Sequence, residues 1–208
     1  MRSLCIQLCA AVKAIHDAGV CHLDLKPANV GIAQDFSLIL LDFGHASSAK
    51  KKLSKSAGTL GYIAPEVLEP LELNEMYEKI PRPYDGKKAD IYSLGITFFN
   101  LYFRDHAFEK EGEKDLRKRF DKDPESYFKE HPGTRSYYEK GEVDEDFKNL
   151  LKIMLDSNLE VPSNDLLARP SSIDEVLSQD FFKKYTPLNA EEGRQKLKEF
   201  MNREKQPT

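Results

Sequence analysis

Tryptophan is absent from the 208 residues, and cysteine is close to absent, with Cys5, Cys9 and Cys21 the full set. A disulfide scaffold of this length would carry more cysteines, in pairs, so a reducing, intracellular setting is expected: the cytoplasm, with the nucleus open to it. Cys5 and Cys9 share a helical face, but no Cys-x-x-Cys and no histidine beside them completes a metal site. They read as small buried apolar groups. No apolar run approaches the ~20 residues that cross a bilayer, so no membrane partner is expected. Nor does one sign of charge dominate. The 31 basic and 35 acidic residues leave a net charge of −4, which gives no reason to expect nucleic acid as a partner. What is present suits a folded domain, with 40% hydrophobic and 32% charged residues; disordered and collagen-like chains are thereby excluded. A chain this long buries roughly 70% of its unfolded surface, enough for one core.

The first residues, with Arg2 and a short apolar stretch, have the outline of a signal peptide. Gln7 and Lys13 interrupt it, and Leu4, Leu8, Val12 and Ile15 recur at helical spacing with Gly19 as a C-terminal stop. A packed amphipathic helix is predicted instead. Residues 20–29 are polar and contain Pro27, which reads as a loop. Apolar runs at 30–33 and 37–41, around Gln34 and Asp35, predict a hairpin. Residues 44–61 show no periodicity and read as a long loop. Residues 89–102 are apolar on nearly every side (Ile91, Leu94, Ile96, Phe98, Phe99, Leu101), the pattern of a helix in mid-core. Asp90 then lies at its start, where the helix dipole favours a carboxylate. Residues 103–141, charged and patchily aromatic, read as short helices on a wet surface, broken at Pro124, Pro132 and Gly133. Phe147, Leu150, Leu151 and Met154 mark an amphipathic helix over 145–154 that is core packing and nothing more. Ser171-x-x-Asp174 predicts the cap of another, striped by Ile173, Val176 and Leu177. The fold class is mainly α with a small β-hairpin.

Chemistry concentrates in His22-Leu23-Asp24-Leu25-Lys26-Pro27-Ala28-Asn29, with Asp42-Phe43-Gly44 eighteen residues beyond Asp24 and Ala64-Pro65-Glu66 further on. A carboxylate can accept a hydroxyl proton, an ammonium can hold a transferring phosphate, and an amide oxygen can take magnesium. Asp42, brought alongside by the hairpin, adds the anionic oxygen that such a metal prefers. Those are the parts of phosphoryl transfer, where positioning and charge neutralisation do nearly all the catalysis.

In these motifs and their order the sequence resembles the protein kinase superfamily, specifically the C-terminal lobe of its serine/threonine members, from Met1 to about Phe182. The resemblance implies a domain over 1–182 followed by a charged tail over 183–208. It implies ATP and Mg2+ as cofactors and a protein serine or threonine as phosphate acceptor. Asp24 resembles the catalytic base and Lys26 the lysine on the transferred phosphate; Asn29 and Asp42 are similar to the magnesium ligands. His22 resembles the histidine that braces the loop against Phe43 of Asp-Phe-Gly, with Gly44 following. Gly58-Thr59-x-Gly61-Tyr62-Ile63-Ala64-Pro65-Glu66 resembles the substrate-docking end of the activation segment, with Thr59 bonded to the base. The resemblance pairs Glu66 with Arg169 of Ala168-Arg169-Pro170-Ser171. It also makes Asp90, in Asp90-x-x-Ser93-x-Gly95, the anchor of the catalytic-loop backbone.

Taken singly, each feature has a plainer account. Asp-Phe-Gly alone is usually a turn, His22 alone a satisfied core histidine, and Glu66 with Arg169 an unpaired surface couple. Lys50, Lys51, Lys52 and Lys55 are most simply a solvated face, with a nuclear signal or an acidic-substrate patch as the alternative. Two departures from the family stand out. Leu23 replaces the arginine that pairs with a phosphorylated activation segment, even though Ser54 and Ser56 lie nearby. In addition, none of the eleven glycines forms Gly-x-Gly-x-x-Gly and only 21 residues precede His22, so the N-terminal lobe is missing from this stretch and a truncated gene product is expected. Two other readings remain. A kinase-derived docking or regulatory module would not need to retain Asp24, Asn29 and Asp42. A metal phosphoesterase built on those three and His45 would need more histidines or carboxylates.

Overall fold

The computed structural model describes residues 1–35, 37–49, 53–54, 57–68, 71–73, 79–81, 83–108, 113–157, 169–184, 191–192 and 195. Lys50, Lys51, Lys52, Lys55, Ser56, Ala168 and most of the 183–208 tail lie outside them. In chain order come α1 (Arg2–Asp17), β1 (Val20–Cys21), a 3-10 turn (Pro27–Asn29), β2 (Val30–Ile32), β3 (Leu38–Leu40) and β4 (Ser47–Ser48). Then follow α2 (Pro65–Leu68), β5 (Leu71–Leu73), β6 (Lys79–Pro81) and α3 (Gly86–Phe103). The remainder is helical: α4 (Glu113–Lys122), α5 (Pro124–Glu130), α6 (Pro132–Glu139), α7 (Glu145–Met154), α8 (Ile173–Leu177) and α9 (Asp180–Lys183). The fold is thus mainly α with small antiparallel strand pairs. Among the described residues, no helix is long and apolar enough to cross a membrane.

The apolar stripe of α1 packs against α8 and β3, with Cys5, Leu8, Cys9 and Val12 fully buried. The three cysteines are free thiols, and burial pushes those of Cys5 and Cys21 up to about 12, so they act as packing groups. After α1 the chain turns at Gly19, whose φ of +80° belongs to the left-handed region that glycine enters without steric cost.

The central helix α3 is longer than its pattern predicts, and its start differs. Asp85 is the cap, accepting the backbone N–H of Lys87 at 2.9 Å and Lys88 at 3.4 Å. Asp90 lies a full turn further in and is wholly buried. The carboxylate serving the helix N-terminus is therefore Asp85, which leaves Asp90 to other partners. The apolar residues of α3 are buried on all faces, and Gly95 lets Met154 and Leu155 approach where a Cβ would stand 3.0 and 2.9 Å from them.

Three more expectations need correction. Residues 20–21 and 47–48 are not loop but the paired strands β1 and β4, Cys21 against Ser47 and Val20 against Ser48; two residues are too short for an alternation to show in sequence. The 103–141 region is not a wet surface. Phe108, Phe120, Tyr127 and Phe128 are buried in it, in an edge-to-face aromatic cluster with Phe120 and Tyr127 centroids 5.1 Å apart; such pairs add about 0.5–1.5 kcal/mol beyond area burial. Charged residues so dominate its sequence that too few apolar positions remain to show a period. Finally, the cap of α8 is Ser172, not Ser171: Ser172 Oγ accepts Glu175 N–H at 3.2 Å. Ser171 instead donates its own N–H and hydroxyl to the Glu175 carboxylate.

Candidate active site

The hairpin and α3 together place the polar residues of 22–29. Asp90 accepts the backbone N–H of His22 at 2.8 Å and of Leu23 at 2.7 Å. Its Oδ2 is also 2.8 Å from His16 Nε2. One buried carboxylate thus fixes the loop to the core through charge-assisted hydrogen bonds, roughly twice as strong as neutral ones. His22 extends the bracing. Its Nε2 lies 3.0 Å from the Leu41 carbonyl, so that nitrogen carries the proton and Nδ1 accepts the Asp24 N–H at 3.3 Å. Its ring lies 4.9 Å from that of Phe43, centroid to centroid.

Asp24 is 3% exposed and fully occupied by donors. Thr59 Oγ1 donates to Oδ1 at 2.6 Å; Asn29 Nδ2 donates to Oδ2 and to the Asp24 carbonyl, each at 2.9 Å. Lys26 Nζ lies 3.0 Å from Oδ2 and donates to Thr59 Oγ1 at 2.5 Å. Burial opposes the charge, but the hydrogen bonds from Thr59, Lys26 and Asn29 outweigh it and hold the carboxyl below its ordinary value. An ionised carboxylate beside an ammonium, both reachable from the surface through half-buried Lys26, can take a proton from a hydroxyl.

Asn29 has its amide nitrogen committed to Asp24, which leaves the amide oxygen as its coordinating atom. The Leu41 N–H donates to the Asn29 carbonyl at 2.9 Å, so Asp42 follows directly on a residue tied to Asn29. Asp42 is exposed, takes φ +58°, and uses Oδ1 to accept the Gly44 N–H at 3.1 Å. A left-handed aspartate is uncommon and sits where the surrounding chain imposes it.

The segment from Asp42 to Glu66 is fixed at several points. Leu53 and Tyr84 exchange both backbone hydrogen bonds, at 3.0 and 2.8 Å. The Tyr62 carbonyl accepts Ser93 Oγ at 2.8 Å. Glu66 meets Arg169 at 2.5 Å, and the Arg169 guanidinium also reaches the Asp156 carbonyl and stacks 4.8 Å from the Tyr92 ring. With both side chains almost wholly buried, this is a structural ion pair and not a surface couple. Sequence reasoning missed His16 and Ser93 as supports. A histidine on the otherwise apolar face of α1 was the available signal for His16.

The chain is similar to known protein kinases. The protein kinase domain family matches residues 1–182. The PAS domain-containing serine/threonine-protein kinase of Mus musculus is 38% identical over 104 residues, 49% of this chain and 7% of that protein. Serine/threonine-protein kinase KSP1 of Saccharomyces cerevisiae is 32% identical over 111 residues, 52% of this chain and 10% of that protein. The probable serine/threonine-protein kinase FMP48 of the same yeast is 33% identical over 134 residues, 60% of this chain and 36% of that protein. The similarity to these relatives thus spans well under half of their own lengths.

Proposed function

Because the chain belongs to the protein kinase domain family, we propose that it carries the base and metal-binding part of a serine/threonine protein kinase, with ATP as phosphate donor and a protein hydroxyl as acceptor. The observation that carries this reading is the joint placement of Thr59, Lys26 and Asn29 on the Asp24 carboxylate. In this reading Asp24 accepts the proton of the acceptor hydroxyl as its oxygen attacks the γ-phosphorus. Lys26, already beside Asp24, faces the phosphoryl group as charge develops on it. Thr59 and Asn29 keep the carboxylate aimed, and Thr59 ties it to the segment on which the acceptor peptide would lie. His22 and Asp90 act one step back, through the loop backbone. The serine/threonine assignment is supported by Lys26 and by the Gly58-Thr59 pair.

Magnesium suits the donor set: the Asn29 amide oxygen and the Asp42 carboxylate are the hard oxygens it prefers. When bound it would neutralise phosphate charge. Asn29 and Asp42 would hold it, and the bond from Gly44 N–H keeps the Asp42 carboxylate oriented.

The test is single-turnover phosphate transfer from ATP to serine- and threonine-containing peptides by the natively expressed protein, so that even slow transfer is counted. Transfer that disappears in Asp24→Asn, with thermal stability kept, supports the proposal. Transfer equal in both proteins, or none in either, rejects it and leaves the docking-module reading.

A further inference from the structure

Gly58 occupies a place that no side chain fits. Its φ is +103°, and a Cβ built on it would stand 2.5 Å from the Leu23 carbonyl oxygen and 3.3 Å from the Ile63 side chain. The first distance is far inside van der Waals contact with a backbone atom, which cannot swing aside as a side chain can. Leu23 meets it with an unusual conformation of its own, φ +65°, which a leucine adopts only where its surroundings require it. Those surroundings are plain: Leu23 is buried in the core, and its N–H is held by Asp90 at 2.7 Å. The carbonyl facing Gly58 is therefore part of a fixed wall.

The contact is in step with the chemistry. One residue beyond Leu23 is Asp24, and one residue beyond Gly58 is Thr59, whose hydroxyl reaches Asp24 at 2.6 Å. A short side-chain hydrogen bond needs its two backbones at a set separation, and the approach of Gly58 to Leu23 sets it. Among the described residues, other ties of the segment lie to either side, at Leu53 with Tyr84 and at Tyr62 with Ser93, and Lys26 adds a hydrogen bond to the Thr59 hydroxyl itself. We propose that Gly58 is a positioning residue: by admitting the Leu23 carbonyl it seats Thr59 on Asp24 and fixes the carboxylate through a charge-free backbone contact. Its consequence for phosphate transfer rests on the kinase reading; the seating does not.

Two measurements on the full 208-residue chain test this with Gly58→Ala: amide hydrogen exchange and the methyl resonance of Thr59. The added methyl group forces the backbones apart and lifts Thr59 from Asp24. Exchange at residues 59–62 rises about tenfold, as the loss of one hydrogen bond to a charged group would give, while the amides of α3 keep their protection. The Thr59 methyl moves to the position it takes in Asp24→Ala, and combining the two substitutions moves it no further, the non-additivity of residues acting through one contact. Where phosphate transfer is measurable, Gly58→Ala lowers kcat and leaves the KM for ATP unchanged. Wild-type exchange and an unmoved Thr59 resonance in Gly58→Ala overturn the proposal. So does a rise in α3 exchange equal to that of the segment, because a general loss of stability is not positioning. Failure of the natively expressed protein to transfer phosphate counts against the kinase reading alone, since exchange and resonance decide the seating in the 208-residue chain without it.

Discussion

Arg169 and Glu66 show at the scale of single residues why a buried charge is tolerated. The guanidinium is 2% exposed, yet it has Glu66 on one side and the carbonyls of Asp156 and Lys88 on others. Removing one partner leaves the other charge buried without compensation, which typically costs about 3–5 kcal/mol. Glu66→Ala is expected to lose stability in that range by urea denaturation, whereas a solvent-screened pair such as Lys184 with Asp146 contributes little. A second residue-scale expectation concerns Leu23. Its side chain is buried and apolar, so it offers nothing to a phosphate on the segment. Replacing both Ser54 and Ser56 by alanine should leave phosphate transfer unchanged; a large loss of transfer with the fold intact would contradict this. Asp24, Lys26, Asn29 and Asp42 were legible in sequence because residue type and order specify them. The left-handed conformations of Leu23 and Asp42 were not: leucine adopts it only where its buried surroundings impose it, and aspartate, which tolerates it through a local bond such as that from Gly44 N–H, does so at too few positions for residue type to give it away.

Elements were legible in proportion to the length of their hydrophobic pattern. The helices α1, α3 and α7 announce themselves by periodicity over many residues, and the β2–β3 hairpin by two apolar runs around a polar turn. Strand β4 and the buried aromatic faces of α4 and α5 do not: β4 spans two residues, and α4 and α5 carry too few apolar residues in sequence, Leu116 and Phe120 in one and Tyr127 and Phe128 in the other, for a period to stand out. The packing of α3 on α7 carries one prediction. Alanine in place of Gly95 gains about 1 kcal/mol of helix propensity but puts a methyl group 2.9 Å from Leu155 and 3.0 Å from Met154. Overpacking of that kind costs about 1–3 kcal/mol, so Gly95→Ala is expected to destabilise slightly and Gly95→Val clearly, as thermal melts would read. The joint of α5 with α7 carries another. Hydrogen bonds from Lys148 and Tyr138 hold the Glu125 carboxyl down at about 2, from an ordinary 4.5. A carboxyl whose value is depressed by folding adds stability above its unfolded value and loses it as pH falls through the folded one. The contribution is thus complete above 4.5 and fades toward about 2. It is modest, because Glu125 is 38% exposed and partly screened. Glu125→Gln should lower the melting temperature near neutrality and flatten its acid dependence in that window.

At the scale of the whole molecule, the candidate site residues differ in how they lie toward solvent. Asp24 and Asn29 are buried, but Asp42 is exposed, and beside it Ile39, Leu41 and Phe43 are 44%, 43% and 44% exposed. In the kinase reading proposed above, this exposed group is the wall against which a nucleotide would lie. Residues 1–208 contain no glycine-rich phosphate loop to form the facing wall, and phosphoryl transfer by protein kinases relies on a lysine–glutamate pair from that side. The 208 residues taken alone are therefore expected to fold around α3, with Glu66 and Arg169 closing the segment, yet to transfer phosphate very slowly. Orientation of the reacting groups can supply ~7–11 kcal/mol of a barrier. A γ-phosphate held from one face and open to water forfeits most of it, and Asp24 and Lys26 cannot make up a deficit of that size. The measurement is turnover of the purified 208-residue polypeptide on a serine/threonine peptide with ATP and magnesium, beside Asp24→Asn. The expected result is a rate many orders of magnitude below the 1–100 s⁻¹ or so usual for kinases. A rate on the order of 1 s⁻¹ that vanishes in the Asp24 variant would show that this wall suffices, and that positioning from the opposite face contributes far less than the barrier arithmetic assigns to it.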